Sequence, residues 1–344
     1  MVRPGDRVAE RYEIIEQLAS GGMGTLWRAR QLQSQLEIAL KLMSAESSSP
    51  LLLDRFEREA QAASRLRSAH VVQVLDYGVY GGQPYLAMEL LKGEDLAARL
   101  ERRGALPPEE CVRILAGVAS GLQAAHEAGI VHRDLKPANI FLERVGDGER
   151  VKVLDFGVAR DLARTTDPGS AGGSAAVGSP AYMSPEQVWG EAVGPAADLW
   201  AMGVVAFEIL TGHCPFAGDT LAKVFERIIR APLPKARELK PELPPSIDSF
   251  FEHALARVPG ERFASARELV AALEQGLRGG FEPVRPSLSP LSVQEKRKAS
   301  ALATTQRRKR RPLTPRERRW RAIGWAALLL VPLAAGWLLS RLVP

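Results

Sequence analysis

The first ninety residues alternate between short apolar runs and turn residues. Residues 12–20 (YEIIEQLAS), 25–31 (TLWRARQ) and 36–43 (LEIALKLM) are rich in strand-forming side chains and predict three strands of an antiparallel sheet. The period then changes. Leu52, Phe56, Ala60, Ala63 and Leu66 recur at three- and four-residue spacing, the apolar stripe of a helix over residues 51–66. Residues 71–80 and 83–91 predict two further strands. Beyond KGED the pattern is helical. Residues 107–129 predict a long helix opened by prolines and closed near Gly129, and more helices follow around 198–211, 221–230, 247–256 and 266–275. A small, mostly β portion precedes a larger, mostly α portion, so the fold class is α+β. No internal repeat is present.

The texture changes near Gly279. Proline, serine and like charges fill GGFEPVRPSLSPLSVQ, KRK and RRKRRP, a composition that cannot bury a core, and residues 277–321 are expected to be a disordered linker. Residues 322–340, AIGWAALLLVPLAAGWLLS, then run for 19 positions without a charge. At helical rise this is about 28 Å, close to the hydrocarbon thickness of a bilayer. A buried hydrophobic helix or a partner-binding segment is the competing reading. Trp320, Trp325 and Trp337 lie towards its two ends, where indole rings favour the membrane interface.

The chain has 344 residues, 46% apolar and 25% charged, ample for a globular core. Its net charge of +6 hides a segregation. Residues 1–280 carry 32 basic against 37 acidic side chains, whereas residues 281–321 carry 13 against 3. A mildly acidic body is joined to a basic stem. RRKRR could contact nucleic acid, but its place directly before an apolar stretch points to lipid headgroups, and no nucleic-acid partner is expected. Cys111 and Cys214 are far apart and make no metal spacing; the five histidines make none either. MVRPGDRVAERYEII lacks the apolar core of a secretory signal.

ASGGMGTL, residues 19–26, is nearly a phosphate-cradling glycine loop. The spacing G-x-G-x-x-G fits Gly21 and Gly24, but its first position holds Ala19. Hairpin turns use glycine routinely, so this stretch alone is a weak signal. Lys41 follows on the third strand, on the same face as Ala39. A strand lysine is ordinarily a solvated charge, and Glu59, in FEREA, is ordinarily an exposed helix acid. The sharper reading is a Lys41–Glu59 ion pair that aims the ammonium at phosphate oxygens.

VHRDLKPANI at 131–140, VLDFG at 153–157, GSPAYMSPE at 178–186, DLWAMG at 198–203 and ERF at 261–263 follow in order. Together they resemble the catalytic core of a protein kinase, of the eukaryotic-type serine/threonine class found in bacteria. The resemblance covers residues 12–276 and implies a bilobal fold: a small antiparallel β lobe with one main helix (12–91) and a larger helical lobe (92–276). It implies transfer of the γ-phosphate of ATP to serine or threonine hydroxyls of proteins, this chain included, with Mg2+ (or Mn2+) as cofactor. Phosphoryl transfer is mostly positioning and charge neutralisation. Asp134 would accept the hydroxyl proton, Asn139 and Asp155 would hold the metal, and Lys136 would meet the γ-phosphate. Lys41, oriented by Glu59, would hold the other phosphates. His132 is implied as a packer of the loop, and Phe156 as the residue that sets where Asp155 points.

By the same resemblance, Leu18, Leu26 and Ala39 would cover the adenine and Phe141 would lie beneath it. Met88 would stand at the back of the pocket, with Glu89 and Leu91 on the hinge whose backbone reads the base. Ala19, Gly21 and Gly24 would form the loop over the phosphates; Ala19 departs from the family pattern by one methyl. Glu186 with Arg262, and Asp198, are implied as structural. Arg133 is the kind of arginine that pairs with a phosphate on the loop over residues 155–186, where Ser174 and Thr166 lead the candidates. A pseudokinase scaffold is the alternative, opposed by the intact Lys41, Asp134, Asn139 and Asp155. The expected setting is signalling at a membrane, single-pass, with the kinase at the cytoplasmic face of a bacterial inner membrane. Self-association for phosphorylation between copies is a further expectation.

Overall fold

The computed structural model describes residues 2–21, 24–43, 50–156 and 179–281. Contacts divide the chain into residues 1–283 and 284–344. The expected membrane segment, most of the basic linker and the candidate phosphorylation sites at 165–174 lie outside the described residues. Among the described residues no helix is long and apolar enough to cross a membrane.

The first lobe is one six-stranded sheet in the order β1-β2-β3-β4-β6-β5, with every neighbouring pair antiparallel. Its strands are β1 (Arg7–Val8), β2 (Tyr12–Gly21), β3 (Gly24–Gln31), β4 (Glu37–Met43), β5 (Val74–Tyr80) and β6 (Gln83–Glu89). The three expected opening strands are β2, β3 and β4. β1 is too short to show a period in the sequence. One face of the sheet buries Tyr12, Ile14, Trp27, Ile38 and Leu40 beneath the N-terminal segment, with Val8 fully covered. The other face packs Ala39, Met43, Leu86 and Met88 against Phe56, Ala60 and Ala63 of helix α1 (Pro50–Arg65). The stripe at three- and four-residue spacing is therefore what fixes α1 to the sheet.

The second lobe is built around α5 (Pro195–Thr211). Ala197 to Gly203 are all buried, as are Val204 to Phe207 and Ile209 to Thr211. A helix buried on nearly every side has to sit inside other helices. Those are α3 (Pro108–Glu127), α8 (Ser246–Ala254) and α9 (Ala266–Leu277), whose core residues belong to the same cluster. Shorter helices complete the lobe: α2 (Leu96–Arg103), α4 (Pro185–Trp189), α6 (Leu221–Ile229) and α7 (Ala236–Leu239). A second small sheet, β7 (Gly93–Asp95), β8 (Ile140–Val145) and β9 (Gly148–Val153), lies at the edge facing the first lobe. After α9 the chain stays on the lobe as far as Phe281, whose ring lies 6.0 Å from Phe250 and 6.1 Å from Phe263.

Candidate active site

β2 and β3 form a hairpin in which Gly21 faces Gly24, Ser20 faces Thr25 and Ala19 faces Leu26. Gly24 has φ +133°, and a Cβ built on it would lie 2.1 Å from the Leu42 carbonyl oxygen on β4. Only glycine fits that position. Ala19 is not among the positive-φ residues, so its methyl carries no backbone strain. Leu18, 44% exposed, stands at the rim of the hairpin.

Behind the hairpin, Leu26 and Leu91 pack against the apolar cluster that holds Ala39 and Met88, and Leu90 and Leu154 join them. Phe141 enters from the other lobe on β8, paired with Asp95 on one side and Lys152 on the other. Glu89 turns its side chain away from this pocket. Its Oε1 accepts from Lys152 Nζ at 2.5 Å and from the Gln73 backbone N–H at 2.7 Å.

The loop over residues 131–139 is held from beneath by Asp198 of α5. Asp198 is fully buried, and its two oxygens accept the backbone N–H groups of His132 and Arg133, each at 2.8 Å. That grip holds Arg133 at φ +66°, a left-handed conformation that a non-glycine residue adopts only when its surroundings impose it. His126 adds a third contact to Asp198 at 2.8 Å.

Both nitrogens of His132 are engaged by backbone. Nδ1 accepts from the Asp134 N–H at 3.2 Å, which leaves Nε2 to donate to the Leu154 carbonyl at 2.7 Å. His132 is thus a brace, with its ring packed edge-on against Phe156 at 4.7 Å, and it has no lone pair left for a substrate.

Asp134 is the carboxylate that faces the cleft. Its Oδ2 lies 2.9 Å from Lys136 Nζ and 3.2 Å from Asn139 Nδ2, and Asn139 also donates to the Asp134 carbonyl at 2.7 Å. Leu154 N–H donates to the Asn139 carbonyl, which brings Asp155 beside this group. Asp155 has φ +53°, a second left-handed residue at the site. Burial alone would raise its pKa, but the Lys41 ammonium, by its charge and its hydrogen bond, holds it below the ordinary carboxylate range.

The structure differs from the sequence expectation at Lys41. Its Nζ pairs with Asp155 Oδ2 at 2.6 Å. Among the described residues no Lys41–Glu59 ion pair is formed; Glu59 is half-buried on α1. The reason is tertiary: which acid reaches Lys41 depends on where α1 sits and how Asp155 turns, and neither is encoded in strand or helix period.

The donor set fits a hard divalent cation. Asn139 and Asp155 offer amide and carboxylate oxygens, and among the described residues no cluster of three or more His, Cys, Asp or Glu side chains could form a protein-only cage. Two oxygen donors are what Mg2+ uses when phosphates and water complete its octahedron. A Cβ built on Gly21 would meet nothing within 4 Å, so this end of the hairpin leaves room for close passage over phosphates.

Sequence reasoning missed Lys152, Leu90 and Leu154. Leu154 was findable as the apolar residue directly before Asp155. Lys152 was not, because a lysine in a strand reads as solvent-facing.

A bilobal body, a glycine hairpin over a lysine, and an Asp–Lys–Asn loop beside a second Asp define a phosphotransferase of the kinase class. The protein kinase domain family matches residues 12–272, and the chain belongs to it. It is 38% identical over 265 residues to the serine/threonine-protein kinase PknL of Mycobacterium bovis, covering 77% of this chain and 65% of that one. It is 36% identical over 296 residues to PknA of Mycobacterium tuberculosis, covering 84% and 66% respectively. The chain therefore spans just under two thirds of the length of these relatives. The fold is that of the Mycobacterium tuberculosis PknI kinase domain, with TM-score 0.66 and 29% identity over 80% of this chain and 100% of that one.

Proposed function

We propose that this chain is a serine/threonine protein kinase, dependent on Mg-ATP and tethered to a membrane. The observation that carries the proposal is a pair of polar groups brought together by the fold: Asp134 bonded to Lys136 and Asn139 within one loop, and Asp155 paired with Lys41 from the other lobe, 114 residues away in sequence. Asp134 is held by Lys136 and Asn139 so that its carboxylate can take the proton of an incoming hydroxyl. Lys136, two residues after the base, supports serine and threonine as acceptors, in line with the names of PknL and PknA. Mg-ATP, when bound, supplies the phosphoryl group and neutralises its charge. Asp155, whose Oδ2 pairs with Lys41 at 2.6 Å, would hold the metal together with Asn139. Lys41 would hold phosphate oxygens of the nucleotide, with Glu59 as the partner that orients it.

Autophosphorylation between copies is part of this reading, as is tethering through residues 322–340 with the basic stem against anionic lipid. The test is label transfer from ATP. Residues 1–283 with Mg-ATP should incorporate phosphate on serine or threonine, at a rate per molecule that rises with kinase concentration. Asp134→Asn should lower transfer by at least about a thousandfold, near 4 kcal/mol of barrier, while nucleotide binding persists. Equal incorporation by wild type and Asp134→Asn would leave an ATP-binding scaffold as the better description.

A further inference from the structure

Lys152 is a charged residue inside the core. Its side chain is 7% exposed, on a strand whose last three residues, Val151, Lys152 and Val153, are all buried. The acid it meets, Glu89, ends the strand that leads into the hinge. Glu89 Oε1 accepts Lys152 Nζ at 2.5 Å and the Gln73 N–H at 2.7 Å, while Glu89 N–H returns a bond to the Gln73 carbonyl at 3.0 Å. The segment before Gln73 is itself sewn to β9: Val153 N–H donates to the His70 carbonyl at 2.9 Å, and Val72 N–H donates to the Val153 carbonyl at 3.0 Å. One carboxylate oxygen therefore gathers three chain segments, the hinge strand, residues 70–73 and β9.

β9 carries more than Lys152. Its register partner at Lys152 is Phe141, and at Val153 it is Ile140, the residue after Asn139. Two residues beyond Val153 stands Asp155. The Lys152–Glu89 pair thus joins the hinge edge of the adenine pocket to the hairpin that supplies the pocket floor and leads to the metal donors. A lysine placed in such a core is costly unless paired, and the pair spans the line along which the two lobes would hinge.

We infer that Lys152 is a positioning residue for ATP: through Glu89 it fixes the hinge peptide relative to Phe141, so that the two sides of the adenine slot move as one. It touches neither the nucleotide nor the transferred phosphate. The inference rests on the kinase reading above, and it separates binding from transfer. The side chains of Asp134, Lys136 and Asn139 bond to one another rather than to Lys152 or Glu89, so loss of the clamp acts on the Michaelis constant for ATP and leaves kcat within about twofold, because the ground state and transition state lose the same binding.

The experiment uses the full chain in detergent micelles. ATP KM and kcat are measured for Lys152→Met and Lys152→Arg. A fluorescent ATP analogue with Mg2+ is titrated into the same variants in an Asp134→Asn background. Lys152→Met should raise both KM and the analogue's Kd by about tenfold, the loss expected of one charge-assisted bond. Lys152→Arg, which keeps charge and reach, should restore most of both. If Lys152→Met fails to fold, Glu89→Gln reads the same clamp, since the amide keeps an acceptor for Gln73 N–H and loses only the charge; it too should raise Kd with little change in kcat. Unchanged KM and Kd in a folded variant would overturn the inference, as would a fall in kcat at constant KM. Failure of the wild type itself to bind the analogue would instead count against the kinase reading.

Discussion

Ala19 and Gly24 sit on facing strands of one hairpin and answer to different constraints. At Gly24 a methyl has nowhere to go, since its Cβ would overlap the Leu42 carbonyl at 2.1 Å and the backbone is at φ +133°. At Ala19 the side chain is exposed and the backbone is ordinary. The departure from the family pattern is therefore tolerable. Ala19→Gly should change the ATP KM less than about tenfold, or ~1.4 kcal/mol, and should cost stability by about 0.5–1 kcal/mol through glycine's greater unfolded freedom. Gly24→Ala should be the damaging change, lowering the melting temperature and raising KM well beyond that range. Steady-state kinetics and thermal melts of the two variants side by side decide between a spacing rule and a steric one. Gly24 was legible because a motif carries its backbone requirement. The partner of Lys41 was not, because Glu59 and Asp155 are equally acidic in sequence and only the placement of α1 and the turn at Asp155 separate them.

Among elements, those with a strong period were readable and those held by partners were not. α1 and α3 announce themselves by apolar spacing, and α5 by an apolar run interrupted by two acids, Asp198 and Glu208. β1 and β7 are two and three residues long, too short for any alternation to register. The contact that locks α4 into the lobe is equally invisible to periodicity. Glu186, at the start of α4, receives Arg262 NH1 and NH2 at 2.8 Å each; both residues are about 5% exposed, and the guanidinium also lies 5.0 Å over the Trp200 ring of α5. Burial alone would raise the Glu186 pKa, but hydrogen bonds from Arg262 and from backbone N–H, with the Arg262 charge, hold it below its ordinary range. A depressed carboxylate pKa stabilises the fold above the unfolded value of about 4.3, and the gain fades as pH falls through the folded value. Glu186→Gln leaves Arg262 buried against a neutral partner and should cost about 3–5 kcal/mol at pH 7. Urea midpoints of residues 1–283 should show that deficit shrinking as the pH is lowered below about 4. A gap that stays constant down to acid pH would mean that the charge on Glu186 contributes nothing to the lock.

At the scale of the whole chain, charge and hydropathy divide it into a mildly acidic body, a basic stem and an apolar end, and this division is the basis of the proposed tether. Arg316, Arg318, Arg319 and Arg321 crowd the N-terminal side of residues 322–340, against Arg341 beyond it. If residues 322–340 span a membrane, as proposed, the rule that positive charge stays on the cytoplasmic side would place the stem and the kinase there. Pro332 near the middle is compatible with a span, because neighbouring groups in membrane helices absorb the lost hydrogen bond. The competing picture is a stem that adheres to anionic lipid by charge alone. The two differ in what releases the protein. Charge adhesion is screened by salt over about 8–10 Å at physiological strength, whereas a buried apolar helix is indifferent to salt and to alkaline carbonate. The full-length chain should pellet with membranes, stay there in high salt and after a carbonate wash, and become soluble when truncated after Arg311. Release by high salt alone would reduce residues 322–340 to a surface contact, and recovery of the full-length chain in the soluble fraction would remove the tether from the proposed function while leaving the catalytic body untouched.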